Sequence, residues 1–265
     1  MIRCLITGGQ GNLGTSLQQI HGWQALPVGR GDWVHSDRYF DQNIDLVIHA
    51  AGSLNKPAGM FPVDYAESNV LSLMRTLELM KIHGIKRIFF ISSCAVYGAS
   101  SQTTESSALN PTSINGYAKL LCEVMLEAYC KANNMECHIL RLFNIFGGRD
   151  RFSVLSHLKR AILEDKPFYL NNQGRAQRDF VHVDDVSQVI FRLAEMSALP
   201  KAINIGSGVA VKISEVVDAF MKLNPGLKTM HRNCSEVEYS RADIDVLRSV
   251  MEYEFQSVYD TIVPI

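Results

Sequence analysis

No charge of either sign dominates this sequence of 265 residues, in which 26 Lys and Arg stand against 27 Asp and Glu. That balance excludes the broad basic surface that a nucleic acid or another polyanion needs. It leaves room for small anionic ligands, which two or three local cations can hold. The six cysteines (4, 94, 122, 130, 137 and 234) form no CxxC pair and no Cys/His cluster at zinc spacing. Neither a disulfide framework nor a metal site is therefore expected, and free thiols predict a reducing, cytoplasmic setting. Long apolar runs are missing, which predicts no membrane span. MIRCLITGG runs straight into a strand pattern, with no basic-then-apolar leader, so no signal peptide is expected. Internal repeats and low-complexity segments are absent as well.

What the chain does have is alternation. Short apolar runs at 2–7, 25–28, 45–50 (DLVIHA), 86–92 (KRIFFIS) and 137–143 read as strands. Between them, 12–20, 62–83 and 114–133 carry apolar residues at helical spacing, as in Val70, Leu73, Met74, Leu77 and Met80. Such βα alternation predicts an α/β fold, a parallel sheet covered by helices on both faces, with ligands at the carboxyl ends of the strands. Beyond Phe143 the pattern loosens. Helices are expected at 153–164, 184–196 and 213–223, and a strand at 202–205. Asp184 and Asp185 are expected to cap the helix that follows. The division expected is a dinucleotide-binding domain over 1–150, rejoined by 183–206, and a smaller substrate-binding lobe from 151–182 and 207–265.

The first turn, TGGQGNLG, follows a strand and opens a helix. Gly8, Gly11 and Gly14 stand at GxxGxxG spacing, with Gln10, Asn12 and Leu13 between them. Glycines there allow a tight turn and close backbone approach to a pyrophosphate, and the helix start offers unpaired N–H groups. The second strand ends in LPVGRGDW. NAD enzymes usually place an acid at that end to hold the ribose hydroxyls. Here Gly29 occupies the place and Arg30 follows, which favours a 2′-phosphate and hence NADP, with NAD as the alternative; Asp32 nearby weakens the distinction.

A series of motifs follows in one order: HAAG at 49–52, Asn69 in ESNVLSLM, SSCAVYG at 92–98, KLLCE at 119–123, RLFNIFGG at 141–148, QRDFVHVDDV at 177–186 and NIGSG at 204–208. Together with the glycine turn they resemble the extended short-chain dehydrogenases that modify nucleotide sugars. The resemblance spans nearly the whole chain. It implies a Rossmann-type doubly wound sheet and a small C-terminal substrate-binding lobe. It also implies a nicotinamide cofactor near Ala50, Ala51, Gly52, Asn69 and Lys119, and a nucleoside-diphosphate sugar in the cleft. Ser93 matches the family's Ser or Thr that positions a sugar oxygen. Asn144, Arg178 and Arg232 resemble residues that hold the diphosphate or ribose. Cys94 reads as a small buried side chain, His182 as structural. A homodimer through helices of the large domain is common in the family.

One position departs from the pattern. The family places a Tyr four residues before its Lys, as acid or base for the sugar oxygen. Glu123 lies four after Lys119 and fixes the register, so the Tyr should be residue 115, which is Asn. Tyr117 is two before Lys119, about 200° away around a helix, and could share its site only if the helix began after Tyr117. Asn115 has no proton to give near neutral pH. Three readings stay open: another group supplies the proton (Tyr117, Ser93 or water), turnover is slow, or the scaffold binds without catalysis. The expectation is an NAD(P)-dependent reductase or epimerase acting at C4 of a nucleoside-diphosphate sugar, with 4-keto-sugar reduction favoured and a role in surface-polysaccharide sugar synthesis. The alternative is a non-catalytic nucleotide-binding regulatory protein.

Overall fold

The computed structural model describes residues 1–29, 37–53, 63, 66–101 and 103–265. Arg30 and Asp32 lie outside the described residues. In chain order the first half holds β1 (Ile2–Thr7), α1 (Asn12–Leu17), β2 (Trp23–Val28), α2 (Asp37–Phe40) and β3 (Leu46–His49). It continues with α3 (Ser72–Ile82), β4 (Arg87–Ser93), α4 (Ile114–Ala132) and β5 (Glu136–Leu142). The second half holds β6 (Asn144–Phe146), α5 (Val154–Leu163), β7 (Phe168–Asn171), β8 (Gln177–His182), α6 (Val183–Ala194) and β9 (Ala202–Ile205). It ends with β10 (Ala210–Lys212), α7 (Ile213–Leu223), β11 (Thr229–Arg232), β12 (Tyr239–Ser240) and α8 (Asp245–Val250).

Six strands form one parallel sheet in the order β2-β1-β3-β4-β5-β9. Both faces are covered, which is why these strands read as continuous apolar runs. Alternate residues go to opposite faces: Cys4 and Ile6 join a core with Leu13, Val186 and Leu193, while Leu5 joins one with Leu73, Leu77 and Leu126. Helices α1 and α6 thus lie on one face, α3 and α4 on the other. A third apolar cluster, with Phe146, Leu158, Phe180, Val216 and Phe220, gathers α5, α7 and the short strands of the second half. There β8 pairs with β6, β10 and β12, and β7 with β11.

Two local expectations change. The helical run before His83 carries a π-helical turn over Glu67–Leu71. The cap of α6 is His182, whose Nδ1 accepts from the Asp184 N–H at 3.3 Å. Asp184 and Asp185 instead lie in the first turn, where a negative charge complements the helix dipole. No helix among the described residues is long and apolar enough to cross a membrane.

Candidate active site

The sheet order reverses between β1 and β3: β1 connects outward to β2, and the chain then crosses back to β3. Ligands of open α/β sheets bind at such a point. Gly8 follows β1 with φ at 72°, in the left-handed region. A Cβ there would stand 2.7 Å from the Ala50 carbonyl oxygen and 2.8 Å from the Ala51 nitrogen. The two strand ends therefore meet backbone to backbone, and no side chain fits between them. The Gly11 N–H donates to the Gly8 oxygen at 2.8 Å and closes the turn. Gly11 is also the residue before α1, and no side chain caps the helix. Gln10 and Gly11 are exposed, while Leu13 and Gly14 are buried and seat α1. Asn12 acts as a strut: its amide donates to the Gly147 oxygen at 3.1 Å and accepts from the Arg149 N–H at 2.6 Å. This narrow, backbone-lined cradle fits a pyrophosphate.

The far wall is fixed by a buried histidine. The hydroxyls of Thr7 and Thr76 lie 3.0 and 3.1 Å from His49 Nδ1. Thr7 Oγ1 also accepts from the Ala51 N–H at 3.2 Å, so the HAAG turn is tied to β1. Burial, with Lys119 adding to it, pushes the His49 pKa down to about 3. His49 is neutral and structural at neutral pH. Asn69, on the π-helical turn, accepts from the Ser53 N–H at 3.1 Å. A Cβ on Gly52 would stand 2.7 Å from Asn69 Oδ1 and 3.6 Å from Lys119 Nζ, so these three residues share one spot.

Lys119 is 7% exposed. Its ammonium donates to the Ile91 oxygen at 2.7 Å and lies 4.9 Å from the Phe90 ring centroid. Burial lowers its pKa, against the opposing pull of Cys122 and Glu123. Ser93 lies two residues along the same strand, half-buried, and its Oγ accepts from the Ala95 N–H at 3.2 Å. The structure thus brings Gly52, Asn69 and Lys119 together, with Ser93 at the neighbouring strand end.

Helix α4 answers the question raised by its own sequence. Ser113 is the N-cap, accepting from the Gly116 N–H at 3.1 Å, a cap worth about 1 kcal/mol. The Tyr117 N–H donates to the Ser113 oxygen at 2.9 Å. The helix therefore begins three residues before Tyr117, and a start beyond Tyr117 does not occur. Tyr117 is 59% exposed, on the side of α4 away from Lys119. Asn115 is half-buried in the first turn, about 40° around the helix from Lys119.

Sequence reasoning missed a buried polar network beside this helix. Glu123 grips Arg141 with both oxygens, at 3.2 and 2.8 Å. It also accepts from Ser92. Arg141 donates to the Tyr97 hydroxyl at 3.0 Å, and that hydroxyl donates to Asn204 Oδ1 at 2.7 Å. The network joins β4, α4, β5 and β9 just beneath Ser93 and Lys119. Its signal in the sequence was Arg141 and Asn204 standing in otherwise apolar strands. Asp179 is a second such case. Fully buried, its carboxylate accepts from the backbone N–H groups of Ser207, Gly208 and Ala242 and from the Ser207 hydroxyl, at 2.6–3.0 Å.

The second half supplies two arginines. Arg178 pairs with Glu236 at 3.4 Å. Glu236 also accepts from Asn172 at 2.9 Å, and the adjacent Asn171 accepts from Arg232 at 2.6 Å. A short chain of polar contacts thus connects Arg178 to Arg232. Burial lowers the Arg178 pKa while Glu236 opposes it. Arg232 is exposed and lies over the Tyr169 ring. Asn144 donates to the Asp179 oxygen at 2.8 Å. Cys94 is half-buried, with the Ser240 hydroxyl 3.8 Å from its sulfur. Among the described residues no group of three His, Cys, Asp or Glu side chains could hold a metal ion.

Protein CapI of Staphylococcus aureus is 29% identical over 224 residues, which cover 71% of this chain and 67% of that protein. The UDP-glucose 4-epimerase of Bacillus subtilis is 30% identical over 216 residues, covering 71% of this chain and 63% of its own length. Among solved structures, MoeE5 in complex with UDP-glucose and NAD superposes with a TM-score of 0.87 at 28% identity, over 98% of this chain and 96% of that one. Residues 4–206 match one family as a whole, and the chain belongs to it: the NAD dependent epimerase/dehydratase family.

Proposed function

We propose that this chain is an NAD(P)-dependent enzyme that works at C4 of a nucleoside-diphosphate sugar, with reduction of a 4-keto sugar favoured over epimerisation. The observation that carries the reading is the convergence of Gly52, Asn69 and Lys119 beside the glycine cradle, at the point where the sheet order reverses. A bound reduced nicotinamide supplies a hydride. Lys119, buried and anchored on the Ile91 oxygen, holds the cofactor ribose. Ser93 orients the sugar oxygen. Arg178 and Arg232, with Asn144, hold the diphosphate; a guanidinium suits it by geometry as well as charge.

Asn115 sets the direction. Its amide can donate a hydrogen bond to a ketone oxygen and polarise it, but it cannot take a proton from a sugar hydroxyl. Reduction needs the first service; oxidation, and therefore epimerisation through a 4-keto intermediate, needs the second. The proton for reduction then comes from water or through Ser93. Gly29 in place of an acid after β2 favours NADP, and MoeE5, which was solved with NAD, keeps NAD as the alternative. The reducing cytoplasm suits six free thiols, and surface-polysaccharide sugar synthesis is the role we assign.

We also propose a homodimer. Ile114, Tyr117, Leu121 and Val124 are 66, 59, 49 and 58% exposed, and their spacing makes an apolar stripe along α4. A second copy covering that stripe gives Tyr117 its role.

The test is titration of cofactor-stripped protein with NADH and NADPH by fluorescence, followed by turnover on a panel of nucleoside-diphosphate 4-keto sugars. Absence of cofactor binding sinks the reading. Binding of cofactor and sugar nucleotide with no turnover in wild type or in Asn115→Tyr supports the alternative that Asn115 motivates, a regulatory protein on the same scaffold.

A further inference from the structure

We infer that Gln18 is a positioning residue of the cofactor cradle: its side-chain amide holds the Gly9 carbonyl on α1, so that this oxygen is not presented to the pyrophosphate. The inference rests on the reading that a nicotinamide cofactor lies in the glycine turn. Gln18 is the C-cap residue of α1, one turn beyond Gly14. Its backbone N–H donates to the Gly14 oxygen at 3.3 Å. Its side chain folds back along the helix, where Nε2 donates to the Gly14 oxygen at 2.8 Å and to the Gly9 oxygen at 2.6 Å. Only the amide nitrogen can meet two carbonyl oxygens, so the partners fix which way the amide is turned. The reach is short because α1 lies directly on the turn. A Cβ on Gly14 would stand 2.3 Å from the Gly8 oxygen and 2.8 Å from the Gly9 Cα.

The need for such a clamp follows from charge. A loop that cradles a phosphate turns its N–H groups to the anion, and a carbonyl dipole facing the same way repels it. Glycines leave the backbone free to rotate either way. The Gly8 oxygen is engaged by the Gly11 N–H at 2.8 Å. The Gly9 oxygen has no backbone donor among the described residues, and Gln18 supplies its partner. Gly9 is pinned at its other end as well. Its N–H donates to the Val28 oxygen at 3.2 Å, and a Cβ there would stand 2.4 Å from the Pro27 Cβ. A trans peptide points its C=O and N–H in opposite directions. Holding the Gly9 oxygen on α1 therefore turns the Gln10 N–H away from Gln18, where it has no backbone acceptor among the described residues. Gln18 thus selects one orientation of the Gly9–Gln10 peptide from those that glycine permits.

The test compares wild type with Gln18→Met, which keeps the length of the side chain and removes the donor, and with Gln18→Glu, which sets acceptor oxygens against both carbonyls. Cofactor-stripped proteins are titrated with NADH and NADPH by fluorescence. ADP-ribose, which keeps the pyrophosphate and lacks the nicotinamide, is titrated as a competitor. Gln18 is exposed, so water can replace its amide, and the scale is that of one hydrogen bond. Gln18→Met is expected to weaken the better-binding cofactor and ADP-ribose by the same factor, about two- to tenfold. Gln18→Glu should weaken both further. The urea midpoint of cofactor-free Gln18→Met should match that of the wild type. Unchanged affinities in Gln18→Met, a loss confined to Gln18→Glu, or a loss for the cofactor without one for ADP-ribose would overturn the inference. So would a urea midpoint lowered in step with the affinity, which would make Gln18 a residue of the fold alone. A wild type that binds no nicotinamide cofactor would overturn the reading of the cradle and this inference with it.

Discussion

Replacing Asn115 with tyrosine should raise turnover. Helix α4 is capped at Ser113 and regular through Lys119, so positions 115 and 119 lie about 6 Å apart along the axis and about 40° around it. Asn115 is half-buried, so a larger ring need not be driven into the core. The Lys119 ammonium is fixed at 2.7 Å from the Ile91 oxygen and cannot swing away. A phenolate about 4 Å from such a cation gains ~4 kcal/mol at an effective dielectric constant of about 20. That lowers a phenol pKa by roughly three units, from about 10 towards about 7, where it can exchange protons at neutral pH. A positioned acid/base is worth about 10²–10⁴ in rate. Asn115→Tyr should therefore increase kcat by about 10²–10⁴ on the best nucleoside-diphosphate sugar, with little change in KM. The increase should be larger for epimerisation than for ketone reduction, because only the former needs a base. Steady-state assays on both substrate types read this directly. The reasoning is refuted if the variant binds cofactor and sugar nucleotide as the wild type does and yet turns over no faster.

Other consequences follow from the same structure. Tyr117→Phe should leave turnover within about twofold, since the hydroxyl lies away from Lys119, whereas Leu121→Lys should convert a dimer to a monomer in light scattering. Glu123→Gln should destabilise the fold by about 3–5 kcal/mol in urea unfolding, because it leaves the Arg141 charge buried without its partner; Glu123→Leu combined with Arg141→Met should recover most of that. Stability should fall on acidification. His49 has a pKa of about 3 in the folded state against 6.5 when free, so protons favour the unfolded chain as pH drops below 6.5. The loss from this residue is about 2 kcal/mol between pH 7 and pH 5, and the pH slope of urea midpoints should flatten in His49→Asn.

The strands were legible to different degrees. β1, β3, β4 and β5 are continuous apolar runs bounded by turns and helices, and burial on both faces writes itself into the composition. β6, β10, β11 and β12 have two to four residues each, too few for any period to register, and their partners lie far off in sequence. The glycine cradle was readable because only glycine permits the contact of Gly8 with the HAAG turn. Position 115 was readable as anomalous from the spacing to Lys119 and Glu123 alone. What Glu123 itself does was not: its partners Ser92 and Arg141 come from other elements, and only the packing of α4 on the sheet joins them. The sequence also left the start of α4 undecided, and the Ser113 cap decides it.

The most direct test of the central claim is a single-turnover measurement. Protein loaded with reduced nicotinamide is mixed with a nucleoside-diphosphate 4-keto sugar, and the near-ultraviolet band of the reduced cofactor is followed for wild type and Lys119→Ala. The account predicts loss of the band in the wild type at a rate equal to the appearance of reduced sugar, and a much slower loss in Lys119→Ala. A wild type that binds both partners and holds the band unchanged would contradict it.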